Sequence, residues 1–448
     1  MHIDTPTART TSETHALPLK NLAASLIGLY FVMCSAFVYA SAPCEGAPVP
    51  AVLTKEIALN RLLQCNPDII DSRRFIIAND ANLTMAGQIQ NPNLTIGVGN
   101  INPKLGIGAG SYFDKTIDSS IRYEQLIERG NKHDLRLKTA RSQVAASKQE
   151  VLDVERQQSV ILLRTMVDLA SINERINLLS QMVSLYEETL HANAIRTEKG
   201  DLAPVDAQRQ MIDANRAQIE LRQSQSDAKS VQLSLATLLA WESESNSLVV
   251  DPSILNVTPL DSNGYAEANR ADVKAARLRV EAASQQVDMA QAQLKSDITA
   301  GVQYDHWPTS ANNATGTGDT ISFTVGFPLT VNHRYEGEIA LAASNYDAAK
   351  EALAHVEANA KIEWQRMNTE VSNAEENWQL LQKELLPRAE DVARSIELGY
   401  SKGALDLLDL LDARRMLRQT RLDTLTARAN LARAILARNQ SISANNIN

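Results

Sequence analysis

A chain of 448 residues with only 4% aromatics, and with Gly and Pro sparse over long stretches, is poorly supplied for several compact cores. Its net charge of −9, without any cluster of Lys and Arg, excludes a partner held through a phosphate backbone, so no nucleic acid is expected. Long runs of Ala, Leu, Gln, Glu, Lys and Arg lose little side-chain entropy in a helix and predict a mainly α protein.

Lys20 precedes an uncharged apolar run, Leu22 to Ala40, and Ala40-Ser41-Ala42 places small residues at cleavage spacing. Residues 1–42 are expected to be a secretory signal peptide cut after Ala40 or Ala42; a single membrane anchor is the alternative. Cys34 lies in that segment, whereas Cys44 and Cys65 would remain after export. An exported chain permits a disulfide between them, and lipidation of Cys44 is the other reading.

Beyond the signal, one plan occurs twice, in residues 43–241 and 265–440. Each copy runs helix, strand, loop, strand, very long helix, tip turn, return helix. Residues 242–264, with Pro252, Pro259 and Asn263-Gly264, form a linker, and 441–448 a tail.

In the first copy, Leu94, Ile96 and Val98 alternate with Thr95, Gly97 and Gly99, and Ile117, Ser119, Ile121 and Tyr123 with Asp118, Ser120, Arg122 and Glu124. From Lys132 to Glu198 no Pro or Gly intervenes, and Leu169, Ile172, Ile176, Leu179, Val183, Tyr186 and Leu190 make a coiled-coil seam. Such a rod would be about 100 Å long. Ala228, Val231, Leu235 and Leu238 mark its return helix.

The second copy opens with a seam from Val273 through Ala276, Val280, Ala283, Val287 and Ala290 to Leu294. Ile298, Ala300, Val302 and Tyr304, then Ile321, Phe323, Val325 and Phe327, alternate with polar or small residues. A second rod is expected from about Glu338 to Glu397, interrupted only by Pro387, with Val371, Ala374, Trp378, Leu381 and Leu385 on its seam. Leu422, Leu425, Ala429, Ala432 and Leu436 mark the second return helix, so both copies fold into antiparallel helix pairs.

A half-buried soluble sheet would show the same alternation in its strands. Here, however, the loops Asn102 to Ser111 and Pro308 to Gly318 are rich in Gly, Asn, Ser and Thr, while the rods leave from the opposite strand ends. Segments near ten residues with aromatics toward their ends suit a membrane barrel. Four strands cannot close one, and lipid tolerates no open edge, so several chains must share it.

Further short motifs carry a resemblance. Asn66-Pro67, and Ala86-Gly87 leading to Asn91-Pro92-Asn93-Leu94, look like the two Asn-Pro signatures of the outer membrane factor family, the TolC-like channels. Gln125 to Lys132 (QLIERGNK) is similar to the strand-to-helix junction of the cobalt-zinc-cadmium heavy-metal branch, with Gly130 and Lys132 in place and Asn131 for the second Gly. Phe327-Pro328-Leu329 followed by Gly337 fits the second junction, Gly200 with Ala207 the first tip turn, and Tyr400-x-x-Gly403 with Leu411-Asp412-Ala413 the second. The resemblance covers about Leu53 to Gln440. It implies a homotrimer with a 12-stranded barrel in the outer membrane of a Gram-negative bacterium and a periplasmic helical tunnel. It also implies a periplasmic adaptor, an inner-membrane RND-type pump and Asp409 and Asp412 near the periplasmic constriction.

Asp406, Asp409 and Asp412 recur every third residue on one helix face. In a three-fold assembly each would form a ring of carboxylates, which attracts cations; a solvated helix face is the plainer reading. The histidines lack the partners of a coordination shell, so neither a metal site nor a cofactor is expected. No phosphate loop, nucleophile elbow or metalloprotease motif occurs, and the chain is not expected to be an enzyme. The reading that emerges is the exit channel of a tripartite efflux system for heavy-metal cations or drugs. A type I secretion channel of the same fold, or a periplasmic coiled-coil scaffold, are its rivals.

Overall fold

A computed structural model of the chain describes residues 44, 49–99, 101, 103–104, 106–111, 115–200, 203–241, 248–260, 267–308 and 318–445. Two compact units are distinguished, residues 1–47 and 48–448. The expected signal peptide, parts of both strand loops, residues 242–247 and 261–264 of the expected linker, and residues 446–448 of the tail lie outside the described residues.

The second unit runs α1 (Lys55–Cys65), α2 (Pro67–Gly87), β1 (Asn93–Gly99), β2 (Asp118–Ile127), α3 (Lys132–Glu198) and α4 (Pro204–Leu239), then α5 (Ala271–Ala292), β3 (Ile298–Trp307), β4 (Gly318–Gly326), α6 (Glu336–Leu380), α7 (Leu386–Ser401) and α8 (Leu407–Asn445). The 67-residue α3 has the bounds expected from its unbroken periodicity. It packs on α2, α4, α5 and α8, while α6 packs on α5 and α8, and α7 on α8. Cys65 at the end of α1 is disulfide-bonded, as is Cys44 in the other unit.

The core gathers where α1, α3, α4 and α8 meet, around Leu62, Leu162, Met166, Leu169, Leu235 and Leu436. Leu248, Val250, Ile254 and Leu255, from the expected linker, are part of it. Leu53 joins Val250 in a parallel bridge. A polar lock borders this core. Asn66 caps α2 by accepting from the Asp68 and Ile69 amides, while its Nδ2 donates to the Leu238 carbonyl at 3.1 Å. Arg61 donates to the Leu239 and Ala240 carbonyls and stacks 4.9 Å from the Trp241 ring. The last carbonyls of α4, orphaned by helix geometry, are thereby satisfied.

The second rod, expected to be interrupted at Pro387, changes its winding just before that residue. Residues Leu381–Leu385 form a π turn between α6 and α7. Pro387 lacks the amide that would bond to the Lys383 carbonyl, and its ring would crowd that carbonyl in an α-helix; a wider turn accommodates both. The extra residue rotates the seam, so Val371 is buried before it, Ala389 and Ala393 after it, and Leu385 is exposed. Leu294 is likewise exposed, because α5 stops at Ala292 to turn into β3.

The four strands form one antiparallel sheet in the order β1-β2-β3-β4. Its register aligns Leu94, Tyr123, Val302 and Phe323 in one row and Ile96, Ile121, Tyr304 and Ile321 in the next, on one face. The other face carries Thr95, Arg122, Gln303 and Ser322, with Glu124 and Asp305 in adjoining rows. The apolar face is the exposed one, with Phe323 83% accessible.

Candidate functional site

Two regions hold the residues singled out by sequence: the junctions between strands and rods, and the far ends of the helix pairs.

At the first junction the chain must turn sharply from β2 into α3. Gly130 (φ +73°) and Asn131 (φ 59°) both take left-handed backbone, which Gly adopts freely and Asn tolerates. A side chain at 130 would also press on the Ala292 carbonyl and Lys295. The Lys132 Nζ, almost fully buried, lies 2.8 Å from Asp297 Oδ1, which also accepts from the Arg129 amide. Burial alone would raise the Asp297 carboxyl, but Lys132 and that amide outweigh it and hold it low. Arg136 grips both oxygens of Glu128 at 2.7 and 3.0 Å, depressing that carboxyl, and donates to the Ala86 carbonyl.

The second junction repeats the backbone but not the chemistry. Tyr335 (φ 55°) occupies the left-handed position before α6. Gly337 lies inside the first turn of α6 with open space around it. The Pro328 carbonyl accepts from Ser296 Oγ at 2.7 Å.

At the tips, Gly200 (φ +81°) ends α3 and Gly403 (φ +73°) ends α7. The Gly403 amide donates to Tyr400 O and that of Ala404 to Gly399 O, a Schellman closure. Leu405 folds back so closely that a Cβ on Gly399 would stand 2.6 Å from it. Asp406 then caps α8, its Oδ1 accepting from the Asp409 amide at 3.0 Å. Asp409 and Asp412 are exposed, while Leu407, Leu410 and Leu411 bury the other side of the turn against Ile396 and Tyr400. Asp412 is not solitary: Arg415 Nη1 is 3.1 Å away.

The residues that tie the two tips together carry no signature of their own. Arg415 makes a forked contact with Asp213 of α4, whose side chain is 3% exposed, and that contact raises the Arg415 guanidinium. Arg414 pairs with Glu397 and reaches Thr189, Arg196 donates to the Tyr400 hydroxyl, and Asn193 donates to Gln210 at 2.6 Å. One signal was available: following the seam of α4 back from Ala228 through Ser224, Leu221 and Ala217 lands on Asp213 and Gln210, polar residues at buried positions. Among the described residues no group of His, Cys, Asp and Glu is arranged to hold a metal ion, and no helix is long and apolar enough to cross a membrane.

Residues 264–438, the second copy of the plan, match the family described as "Outer membrane efflux protein". In this stretch the chain is similar in sequence to that family. Over 383 residues the chain is 21% identical to the cobalt-zinc-cadmium resistance protein CzcC of Cupriavidus metallidurans, covering 83% of this chain and 85% of the relative. Likeness of fold to solved structures extends over the first half as well. The outer membrane protein VceC of Vibrio cholerae superimposes with a TM-score of 0.69 at 18% identity, over 87% of this chain and 95% of that one. The CmeC outer membrane channel of Campylobacter jejuni does so with a TM-score of 0.67 at 13% identity, over 87% and 86%.

Proposed function

We propose that three copies of this chain form the outer-membrane channel of a tripartite efflux system, a passive duct that performs no chemistry on what it carries. One observation carries the reading: a four-stranded sheet whose apolar face is bare and whose outer strands, β1 and β4, have no partner on one side among the described residues. In lipid an unpaired edge is too costly to persist. Four strands from each of three chains give twelve, within the range of closed membrane barrels. The apolar face then meets lipid, and Arg122, Glu124, Gln303 and Asp305 line the interior.

The helices support the same assembly. On α2 Phe75 and Met85 are 66% and 60% exposed, Ile89 just after it 67%, and on α6 Leu341 and Ile362 are similarly bare. Stripes of this kind are covered by neighbouring subunits. The likeness to CzcC supports heavy-metal cations as cargo, delivered by an adaptor and an inner-membrane pump on the periplasmic side. Asp409 and Asp412 then project from the tip, where three-fold repetition concentrates negative potential that favours cations. Reconstitution into planar bilayers is the test. Stepwise conductance with preference for cations is expected, and absence of discrete conductance from well-folded protein contradicts the proposal.

A further inference from the structure

Ile321 to Phe327 covers roughly 20 Å along the strand, about 15 Å of height at the usual 45° tilt. The apolar band of a membrane barrel is about 25 Å tall. The shortfall is not made up at the loop end, where the next row on this face, Val98, Ser119, His306 and Asp319, is polar on three of its four strands. At the helix end, by contrast, the period of two continues past the last residue of β4. Phe323, Val325, Phe327, Leu329 and Val331 are 83%, 68%, 58%, 72% and 67% exposed.

We infer that the segment Phe327–Val331, outside any strand, is a membrane-interface foot whose backbone stays at headgroup level while its bare side chains reach the acyl chains of the periplasm-facing leaflet. The inference rests on the barrel reading above and adds the depth at which the bilayer sits. Its continuity with the lipid face of β4 is the first support. The second is how the segment is held. Ser296 ties its backbone through the Pro328 carbonyl, and the Val331 amide donates to Leu329 O at 3.0 Å, so these backbone groups are bonded within the chain while the Leu329 and Val331 side chains stay bare. The third is where it stops. Asn332 follows, then His333, whose ring stands edge-on to Tyr335 at 4.6 Å and whose Nε2 lies 2.8 Å from Glu338 Oε1. An aromatic and charged cluster directly after an apolar run is what a headgroup boundary favours. At the loop end Tyr304, in one row with Ile121 and Ile321 on the same face, is the corresponding aromatic.

A photoreactive benzophenone amino acid placed singly at 323, 329, 330 and 331 tests this in protein reconstituted into phosphatidylethanolamine–phosphatidylglycerol vesicles. After illumination, intact mass should show one added phospholipid for the 329 and 331 variants, in yields within about twofold of the 323 variant, and at least fivefold less for 330. Chain-to-chain cross-links at 329 and 331 alongside a lipid adduct at 323 would overturn the foot and assign the segment to the subunit interface. Absence of any adduct at 329 and 331 with 323 still labelled would assign it to water, also against the inference. Absence of lipid at 323 as well would remove the barrel reading itself.

Discussion

Arg415 of α8 holds Asp213 of α4 through two nitrogens, Nη2 at 2.7 Å and Nε at 3.1 Å from Oδ2, and with Nη1 reaches Asp412 at 3.1 Å. A single guanidinium therefore joins the two helix hairpins and touches the acidic stripe at the tip. Forked arginine–carboxylate contacts of this kind are among the stronger polar interactions. Asp213→Ala should weaken the tip by about 1–2 kcal/mol, the lower part of the range for charged hydrogen bonds because Arg415 stays accessible to water. Hydrogen exchange of the first turns of α8 should quicken while the core around Leu162 is unaffected. Unchanged exchange in α8 would show that the contact carries no load.

The same pairing sets the roles of the acidic residues apart. Arg415 offsets part of the charge of Asp412, whereas Asp409 forms no ion pair among the described residues and faces solvent. Replacing both with Ala should raise anion permeability and weaken block by multivalent cations in bilayer recordings, with Asp409→Ala accounting for the larger share. Asp406→Ala should act differently. Loss of the cap costs about 1 kcal/mol and shows in melting, with less change in ion selectivity. Unaltered selectivity in the double variant would leave these carboxylates as a solvated helix face.

The strand-to-rod junction should be sensitive to acid. Arg136 holds the Glu128 carboxyl low, and Lys132 with the Arg129 amide holds Asp297 low. The folded chain thus binds fewer protons than the unfolded one. The stabilisation is present above the ordinary carboxylate value, about pH 4, and is lost as pH falls through the depressed folded values. Thermal melting followed from pH 7 downward should show a fall below about pH 4. In the Glu128→Gln/Asp297→Asn variant the neutral-pH midpoint should be lower and the dependence shallower. Parallel pH profiles would contradict this.

Asn66 serves two helices at once, capping the start of α2 and the end of α4. Asn66→Ala should cost about 2 kcal/mol, more than a single cap, because the Leu238 carbonyl also loses its donor. Asn66→Asp keeps the N-cap but removes the donor, so it should recover about half of that loss. Equal melting temperatures for the two variants would separate Asn66 from the α4 terminus.

Much of this was legible in sequence because it is local. Unbroken three-four spacing gives α3 its length, alternation gives the strands, and left-handed backbone at Gly130, Gly200 and Gly403 falls where glycine is written. The Asp406 cap could have been read from an Asp just ahead of a Leu-rich helix start. Pro387 announces an interruption, though not that a π turn absorbs it. Contacts between the copies were not legible, since Lys132 and Asp297 stand 165 residues apart and Arg415 and Asp213 stand 202 apart. Nothing near either residue in sequence names its partner. The second junction shows the converse: Gly337 stood out in sequence, yet the left-handed residue is Tyr335, held in that conformation by the turn into α6.

Native mass spectrometry of the mature protein released from detergent measures the central claim most directly. Two bare strand edges and the exposed stripes of α2 and α6 require neighbours, so the protein should appear as a trimer, with no folded monomer down to the lowest concentration that can be measured. A stable, folded monomer would contradict the channel.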